Sequence, residues 1–384
     1  LRTTLSSETV KRLFFILFLT AGCIDPYFPP EIDSISPALV IDGFIDTQGP
    51  STIRLTRTQR LDASGQLAPE LEASVWVEDH LGTKIFLSEQ GNGNYGLSTQ
   101  NFTASAYRLG IETVAGRQYL SDLVSITNSP PIDSVTWKLG VDSRVEILVS
   151  THNPTNTEGY YRWSFEETWK YTSAGESTFV FDPVTRAVSI REDDIYHCWR
   201  QSSSSDVLIA SSNRLSENRI SEFPLTYIPQ TSERTRYQYS MLVKQYALTQ
   251  GAYNYWQQIK KTTEDLGTLF GPLPSQVVGN FTCLTDPAEP VLGYFTIGTV
   301  STQRIFIQWQ DLPTPPSYET PYDNCEIFEI LLENFHLFSP PNLLLHGIPN
   351  PSGPGIIGYT YTSESCGDCR KSGGTTTKPD YWPW

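Results

Sequence analysis

The chain has 384 residues, with 42 acidic and 27 basic side chains, so its net charge is −15. This acidity argues against nucleic acid as a partner and against a basic patch that grips anionic lipid, because both need an excess of basic residues on one surface. The chain is also rich in Tyr (20), Trp (9) and Pro (27) but contains only 18% charged residues, a composition that suits exported β-domains with long ordered loops.

The first 22 residues have the plan of a secretory signal. Lys11 and Arg12 precede a short apolar run, which is too short to span a bilayer, and the small residues of Thr20-Ala21-Gly22-Cys23 follow it. That tetrapeptide resembles a bacterial lipobox, in which cleavage exposes the cysteine for lipidation. We therefore expect residues 1–22 to be a signal peptide and Cys23 to carry a lipid anchor. The alternative is an ordinary signal peptide with a coincidental cysteine.

Residues 23–36 are acidic and rich in proline, which predicts a tether between the anchor and the first domain. From residue 37 to residue 129 the chain alternates between apolar and polar positions over short runs. These runs are separated by turn sequences such as Asp79-His80-Leu81-Gly82. Strands at this spacing predict a small antiparallel β-sandwich of the immunoglobulin or transthyretin-like type.

Pro130-Pro131 marks the predicted boundary to a larger β-sandwich domain over residues 130–384, because consecutive prolines stiffen a connection and block helix formation. Within it, aromatic residues alternate with other residues from Tyr161 to Tyr171, which indicates a strand. The aromatic face is either a core face or an exposed platform for sugar rings. If it is exposed, the candidate binding surface comprises Trp163, Trp169 and Trp199, together with the loop over residues 311–324.

One amphipathic helix is predicted over residues 249–270, inserted in the larger domain. Ala252, Trp256 and Ile259 are spaced to share one helical face, and Thr249 is a suitable N-cap. Gly271-Pro272 cannot continue a helix. The apolar face of this helix must lie on an apolar surface, most simply a sheet.

Besides Cys23, the chain has five cysteines, which are candidates for disulfide bonds outside the cytoplasm: Cys198, Cys283, Cys325, Cys366 and Cys369. An odd number leaves one thiol over. Cys366-Gly-Asp-Cys369 also permits a redox pair, or half of a zinc site completed by Cys325 and His336 or His346. The sequence does not decide the connectivity.

The sequence contains none of the common nucleotide-binding, metalloprotease or serine-hydrolase motifs. Its paired carboxylates, such as Glu166-Glu167, are adjacent in sequence and would point to opposite faces of a strand, whereas glycoside hydrolysis needs two carboxylates across a cleft. We therefore expect a protein that is not an enzyme and that has no cofactor or metal site. A hydrolase with a scattered catalytic site is the remaining enzymatic alternative.

Several short motifs occur together: Tyr253-x-x-Trp256 on the helix, Leu273-Pro-Ser-Gln276, Gly279-Asn280 and Val291-Leu-Gly-Tyr-Phe295. In these motifs the chain resembles a Bacteroidota outer-membrane lipoprotein family catalogued as a domain of unknown function, the 4249 family. Further matches lie in the Pro-Pro-Ile-Asp-Ser hinge and in the C-terminal C-x-x-C and Pro-x-Tyr-Trp pattern. The resemblance covers almost all of the chain that follows the signal peptide, and it implies an ordered C-terminal tail.

Members of that family commonly accompany TonB-dependent transporters. The resemblance therefore implies a non-catalytic lipoprotein of the outer membrane, facing the cell surface, that serves a TonB-dependent transporter or another β-barrel complex as an accessory subunit for ligand capture or docking. The alternative is a free-standing adhesin that binds carbohydrate or peptide at the cell surface.

Overall fold

The protein is built mainly from β-strands, which confirms the predicted fold class. The computed structural model describes residues 37–59, 67–140, 142–154, 159–264, 277–313, 315 and 317–383. The predicted signal peptide, Cys23 and the tether lie outside the described residues.

The strands are numbered in chain order, and the two α-helices of the described residues are α1 and α2. The strands are β1 (Leu39–Asp46), β2 (Ser51–Arg57), β3 (Ser74–Asp79), β4 (Lys84–Phe86), β5 (Ser88–Gly91), β6 (Asn94–Leu97), β7 (Ala106–Glu112), β8 (Gln118–Ser121), β9 (Val124–Ser125), β10 (Ile132–Leu139), β11 (Val145–His152), β12 (Tyr160–Thr172), β13 (Phe179–Phe181), β14 (Val188–Ile190), β15 (His197–Ser203), β16 (Leu208–Ser211), β17 (Arg219–Ile228), β18 (Gln238–Ala247), β19 (Phe281–Cys283), β20 (Val291–Leu292), β21 (Ile297–Gly298), β22 (Val300–Gln308), β23 (Phe328–Leu331), β24 (Asn342–Pro349) and β25 (Ile356–Ser363). The helices are α1 (Gln250–Glu264) and α2 (Glu364–Gly367), and short 3-10 helices span Glu233–Thr235, Trp309–Asp311, Leu332–Leu337 and Cys369–Ser372.

The smaller sandwich consists of two sheets that enclose one apolar core. The first sheet has the order β20-β1-β2-β6-β5, with β21 also paired to β1, and the second has the order β19-β8-β7-β3-β4, with β9 paired to β7. In β1, Leu39, Ile41 and Ile45 are buried in this core. Strand alternation brings Leu39 and Ile41 to the same face, as the sequence pattern predicts.

Three strands of the smaller sandwich come from far along the chain. β20 and β21 pair in parallel with β1, and β19 pairs antiparallel with β8. The predicted division at residue 130 assigns β19, β20 and β21 to the larger domain. The structure corrects that assignment, because these strands pair with the smaller sandwich. Residues 39–384 form one compact unit, and the boundary at residue 130 does not separate two independent stretches of chain.

The larger sandwich also encloses a single core between two sheets, β10-β11-β17 and β15-β12-β18-β22, with β16 paired to β12. A third sheet, β23-β25-β24, and the hairpin β13–β14 enclose a small separate cluster of aromatic residues. The long central strand β12 pairs with β18 along ten successive residues and contributes Tyr161, Trp163, Phe165, Trp169 and Tyr171 to the larger core.

The Pro130-Pro131 hinge is hydrogen-bonded to a side-chain amide that is buried in the larger sandwich. Gln245 Nε2 donates to the carbonyl of Pro130 at 2.8 Å and to Thr151 Oγ1 at 3.2 Å. Its Oε1 accepts from Trp163 Nε1 at 2.9 Å, and both Gln245 and Trp163 are almost fully buried. Since buried polar groups need partners, this one amide satisfies groups from three other parts of the chain.

Helix α1 begins where the sequence predicts, because the amide of Ala252 donates to Thr249 Oγ1 at 3.2 Å in an N-cap. The described helix ends at Glu264, and residues 265–270 of the predicted helix lie outside the described residues. Ala252 and Tyr255 are buried, and Trp256 is partly buried. The helix packs against β12 and β16 near the smaller sandwich.

Two disulfide bonds hold the C-terminal tail to the larger sandwich: Cys198–Cys369 and Cys325–Cys366. The two cysteines of the C-x-x-C motif therefore bond to different partners, which excludes both the redox pair and the zinc arrangement in this oxidised chain. Cys283 is the free thiol among the described residues, and it is buried. The tail is ordered despite its Gly- and Thr-rich composition, as the family resemblance implies.

Candidate functional site

Two of the three tryptophans proposed as a binding surface are core residues. Trp163 and Trp169 are 1% and 7% exposed, and both belong to the larger core. They lie on the face of β12 that the opposing sheet covers, so the core reading of the alternating aromatics is correct and the surface reading is wrong for these two residues. Trp199 on β15 is partly buried and its backbone pairs with Thr375 of the tail.

The described part of the loop over residues 311–324, proposed as part of a binding surface, contacts the C-terminal tail. Tyr322 and Leu312 are buried in the larger core. The Tyr322 hydroxyl accepts a hydrogen bond from Ser372 Oγ at 2.8 Å, and Cys325 just beyond the loop forms a disulfide with Cys366. The described part of this loop therefore contributes to the attachment of the tail.

An open cleft lies where strands β1 and β2 of the smaller sandwich face β12 and helix α1. Its volume is about 800 Å³, within the range of small-molecule sites. The lining residues are Val40, Ile41, Asp42, Gly43, Arg54, Thr56, Leu67, Arg162, Ser204, Ser205, Tyr255, Trp256 and Tyr294. Their sequence positions range from β1 to the segment between β20 and β21, so only the folded chain brings them together.

Arg162 is one of the charged residues that line this cleft. It belongs to β12 but points away from the core, because its neighbours Tyr161 and Trp163 occupy the opposite face of the strand. Its guanidinium carbon lies 4.0 Å from the ring centre of Trp256 and 5.5 Å from that of Tyr246, which is directly opposite it on β18. Both rings attract the cation through their π faces.

Burial lowers the pKa of Arg162 from its ordinary value, although a guanidinium keeps its charge at neutral pH. Among the residues that the structure describes, no carboxylate lies within ion-pair distance of Arg162 and no hydrogen-bond acceptor engages it. By contrast, the buried carboxylate of Glu167, on the same strand, receives two hydrogen bonds from Arg234 at 3.0 and 3.1 Å. Among the described residues, Arg162 is thus a partly buried cation that has aromatic support and no hydrogen-bond acceptor.

Tyr255 on α1 presents a second polar group to the cleft. The residue is 9% exposed, and no described residue forms a hydrogen bond with its hydroxyl. Burial, and next the negative charge of Asp42, raise the pKa of Tyr255 to about 12, while Arg162 acts in the opposite direction. The hydroxyl therefore stays protonated and can act as donor and acceptor.

The charged residues of the lining are Arg54, Arg162 and Asp42, so the cleft has one net positive charge in an acidic protein. Asp42 and Arg54 are direct neighbours across the β1–β2 pair, and both are exposed. The lining includes Ser204 and Ser205, but its described residues include no histidine that could activate a serine. The arrangement is equipped to bind an anion and to stack on flat groups.

Two of the glycines in the recognised motifs have a structural role beside this cleft. Gly293 has φ of +144°, and a Cβ there would lie 2.4 Å from the carbonyl oxygen of Ile41. A Cβ on Gly279 would collide with the carbonyl of Gly293. Asn280 receives a hydrogen bond from the amide of Phe295 at 2.8 Å and donates to its carbonyl at 3.1 Å. These motif residues hold the chain over residues 279–298, which we name the returning segment, on β1.

Buried charges elsewhere are satisfied inside the fold. Glu289, which is 9% exposed, accepts from the Tyr119 hydroxyl at 2.7 Å and pairs with Arg57 and Arg117, so it attaches the returning segment to the smaller sandwich. Within the described ranges no cluster of His, Cys, Asp and Glu could hold a metal ion. No helix in the same part of the chain is long and apolar enough to cross a membrane.

Sequence reasoning missed the cleft and Arg162. A single arginine in an amphipathic strand looks like any other solvent-facing residue, so the strand pattern contains no signal for it. The one available pointer was the motif Tyr253-x-x-Trp256, whose Trp256 we predicted to share the helical face that lies on a sheet. Tyr253 stacks on Tyr160 at 5.1 Å between ring centres, whereas Trp256 lines the cleft.

Comparison with protein families gives one result. The model of the family DUF4249, described as a domain of unknown function, matches residues 24–304. The match spans the smaller sandwich, helix α1, the cleft and the returning segment, and it ends within β22, before the third sheet and the tail. No curated protein matches the sequence.

Proposed function

The chain belongs to the DUF4249 family, and on that premise we propose that it is a non-catalytic lipoprotein of the outer membrane that captures a ligand. In this proposal Cys23 carries the lipid anchor, the body faces the cell surface, and the protein serves as accessory subunit of a TonB-dependent transporter or another β-barrel complex. The observation that carries the capture role is the cleft of about 800 Å³, whose wall contains Arg162, a cation with no hydrogen-bond acceptor among the residues that the structure describes.

The cleft supports binding better than hydrolysis. Its polar groups are two arginines, one aspartate, hydroxyls and aromatic rings, and its described lining offers neither a carboxylate pair nor a serine beside a histidine. Hydrolytic sites need such pairs for nucleophilic or acid–base catalysis. A stacking ring beside a fixed cation is suited to holding a ligand in one orientation.

Docking on a partner is supported by a group of exposed apolar side chains near the third sheet, which we name the C-terminal apolar face. Its members lie on β23, at the start of β25 and in the adjoining turn and 3-10 helix: Ile327, Phe328, Leu331, Leu332, Leu337, Ile356 and Ile357. Each is at least 37% exposed. Such a concentration of exposed apolar residues is typical of interaction surfaces.

Affinity isolation of the tagged full chain from gently solubilised outer membranes, with partners identified by mass spectrometry, tests the accessory role. We expect a β-barrel protein in stoichiometric amount. Leu337→Ser, in the C-terminal apolar face, should reduce its recovery, while Leu81→Ser, at an exposed turn of the smaller sandwich, should leave it unchanged. Recovery of the lipoprotein alone would contradict the accessory role and favour the free-standing adhesin.

A further inference from the structure

We propose that the cleft between the smaller sandwich and helix α1 is a binding site for a small organic monocarboxylate, whose carboxylate is recognised by Arg162 and the Tyr255 hydroxyl. This inference rests on the proposed capture role and specifies the chemistry of the captured ligand.

The guanidinium of Arg162 is fixed before any ligand arrives. Trp256 and Tyr246 hold it from two elements, helix α1 and strand β18, at 4.0 and 5.5 Å from the ring centres. Its side chain is partly buried, so much of the desolvation and ordering that binding would require has already occurred during folding. A planar guanidinium presents parallel N–H donors that match the two oxygens of a carboxylate.

A partly buried cation is normally paired in a folded protein, because leaving it alone is unfavourable. The described residues supply such partners elsewhere: Glu78 binds Arg108, and Glu167 binds Arg234. Arg162 lacks an equivalent anion among the described residues, and it lines an open cleft. We infer that the missing anion comes from the ligand.

The charge of the cleft favours a monoanion. Arg54 and Arg162 contribute two positive charges and Asp42 one negative charge, so one further negative charge neutralises the lining. A phosphate dianion would leave an excess of negative charge close to Asp42. Tyr255 also lines the cleft, and its hydroxyl, which stays protonated because burial raises its pKa to about 12, supplies an additional donor.

The body of the ligand is also constrained by the lining. The volume of about 800 Å³ admits a molecule well beyond acetate in size. Val40 and Trp256 offer apolar contact, and Ser204 and Ser205 offer hydroxyls. A carboxylate attached to a flat or apolar group therefore fits the lining better than a small inorganic anion.

Calorimetric titration of the full chain, purified in a neutral detergent, tests this site with hippurate as the probe. Its neutral amide, hippuramide, is the matched control for charge, and inorganic phosphate at equal ionic strength is the control for anion type. We expect saturable binding of hippurate, with hippuramide and phosphate weaker by about tenfold or more, as for loss of a charged hydrogen bond. No hippurate binding, or equal binding of hippurate and hippuramide, would overturn the proposal.

Variants locate the site. Arg162→Gln should weaken hippurate binding by about tenfold or more, and Tyr255→Phe by about threefold or more, whereas Arg186→Gln, outside the cleft, should have no effect. Asp42→Asn should strengthen hippurate binding, because it removes a repelling charge, and this gain cannot result from misfolding. Unchanged affinity in both Arg162→Gln and Asp42→Asn would overturn the assignment.

The two proposals can fail separately. A chain that co-isolates with a β-barrel but does not distinguish hippurate from hippuramide contradicts the carboxylate site alone. A chain that binds hippurate through Arg162 but is recovered without a barrel contradicts the accessory role alone.

Discussion

Removal of the Cys198–Cys369 disulfide should destabilise the protein more than removal of Cys325–Cys366. The bonds join residues 171 and 41 positions apart. In the chain-entropy description, cross-links over such loops stabilise the folded state by about 5 and about 4 kcal/mol respectively. The 41-residue loop lies inside the 171-residue loop. When Cys325–Cys366 is intact, Cys198–Cys369 still closes a loop of about 130 residues, so its contribution to the free energy of unfolding is only slightly smaller.

The measurement is guanidinium chloride denaturation without reductant, followed by tryptophan fluorescence, on three variants in which cysteine pairs are replaced by alanine. We expect the unfolding midpoint to fall in the order wild type, Cys325→Ala/Cys366→Ala, Cys198→Ala/Cys369→Ala, with the quadruple variant lowest. Reductant should lower the midpoint of the wild type but leave that of the quadruple variant unchanged. A larger effect for the inner pair, or no response of the wild type to reductant, would refute the loop-entropy reasoning.

Three further predictions concern buried groups. Gly293→Ala should reduce the unfolding free energy by about 3 kcal/mol or more, because the added methyl meets backbone in a strained conformation. Gln245→Leu should cost about 1–3 kcal/mol, since it leaves the buried Trp163 N–H without its acceptor. At Asp368, burial raises the pKa, but the hydrogen bonds from Arg370 outweigh this effect, so the pKa of the carboxyl group is lowered. Asp368→Asn should therefore destabilise the protein at pH 7 but not at low pH.

Each of these predictions has a control. For Gly293→Ala the control is Gly82→Ala, at a turn where a Cβ meets nothing within 4 Å, and an equal loss in both variants would contradict the close-packing argument. For Gln245→Leu, the control is the same substitution in a Trp163→Phe background, where no indole N–H needs an acceptor; an equal loss in both backgrounds would contradict the role of the Trp163 N–H. For Asp368→Asn, denaturation is measured across pH.

The sign of the Asp368 effect follows from its depressed pKa. A carboxylate with a lowered folded-state pKa contributes stability above its unfolded pKa of about 3.9, and that contribution disappears as the pH falls through the folded-state value. The difference between wild type and Asp368→Asn should therefore be largest near neutral pH and shrink below about pH 4. A difference that stays constant down to acid pH would exclude this ion pair as its source.

Local patterns predicted the parts of the fold that depend on local chemistry. The alternation of aromatic residues from Tyr161 to Tyr171 identified β12, and Thr249 identified the start of α1. The alternation could not decide between a buried and an exposed aromatic face, because both faces of a strand have the same period. Only the position of the opposing sheet shows that Trp163 and Trp169 are core residues.

Long-range features had no local signal. β20 and β21 have two residues each, and their parallel pairing with β1 depends on a return of the chain from about 250 residues away. The disulfide connectivity was equally hidden, because every choice of unpaired cysteine leaves three arrangements of the other four. The cleft was hidden for the same reason, since Asp42, Arg162 and Tyr255 are far apart in sequence and line one cleft only in the folded chain.

The role at the outer membrane is tested most directly by native mass spectrometry of the tagged full chain, released from its own membranes in mild detergent. The account predicts a particle that contains one lipoprotein with its acyl chains on Cys23 and one β-barrel protein. A particle with the mass of the lipoprotein alone, at detergent concentrations that keep other barrel complexes intact, would contradict it.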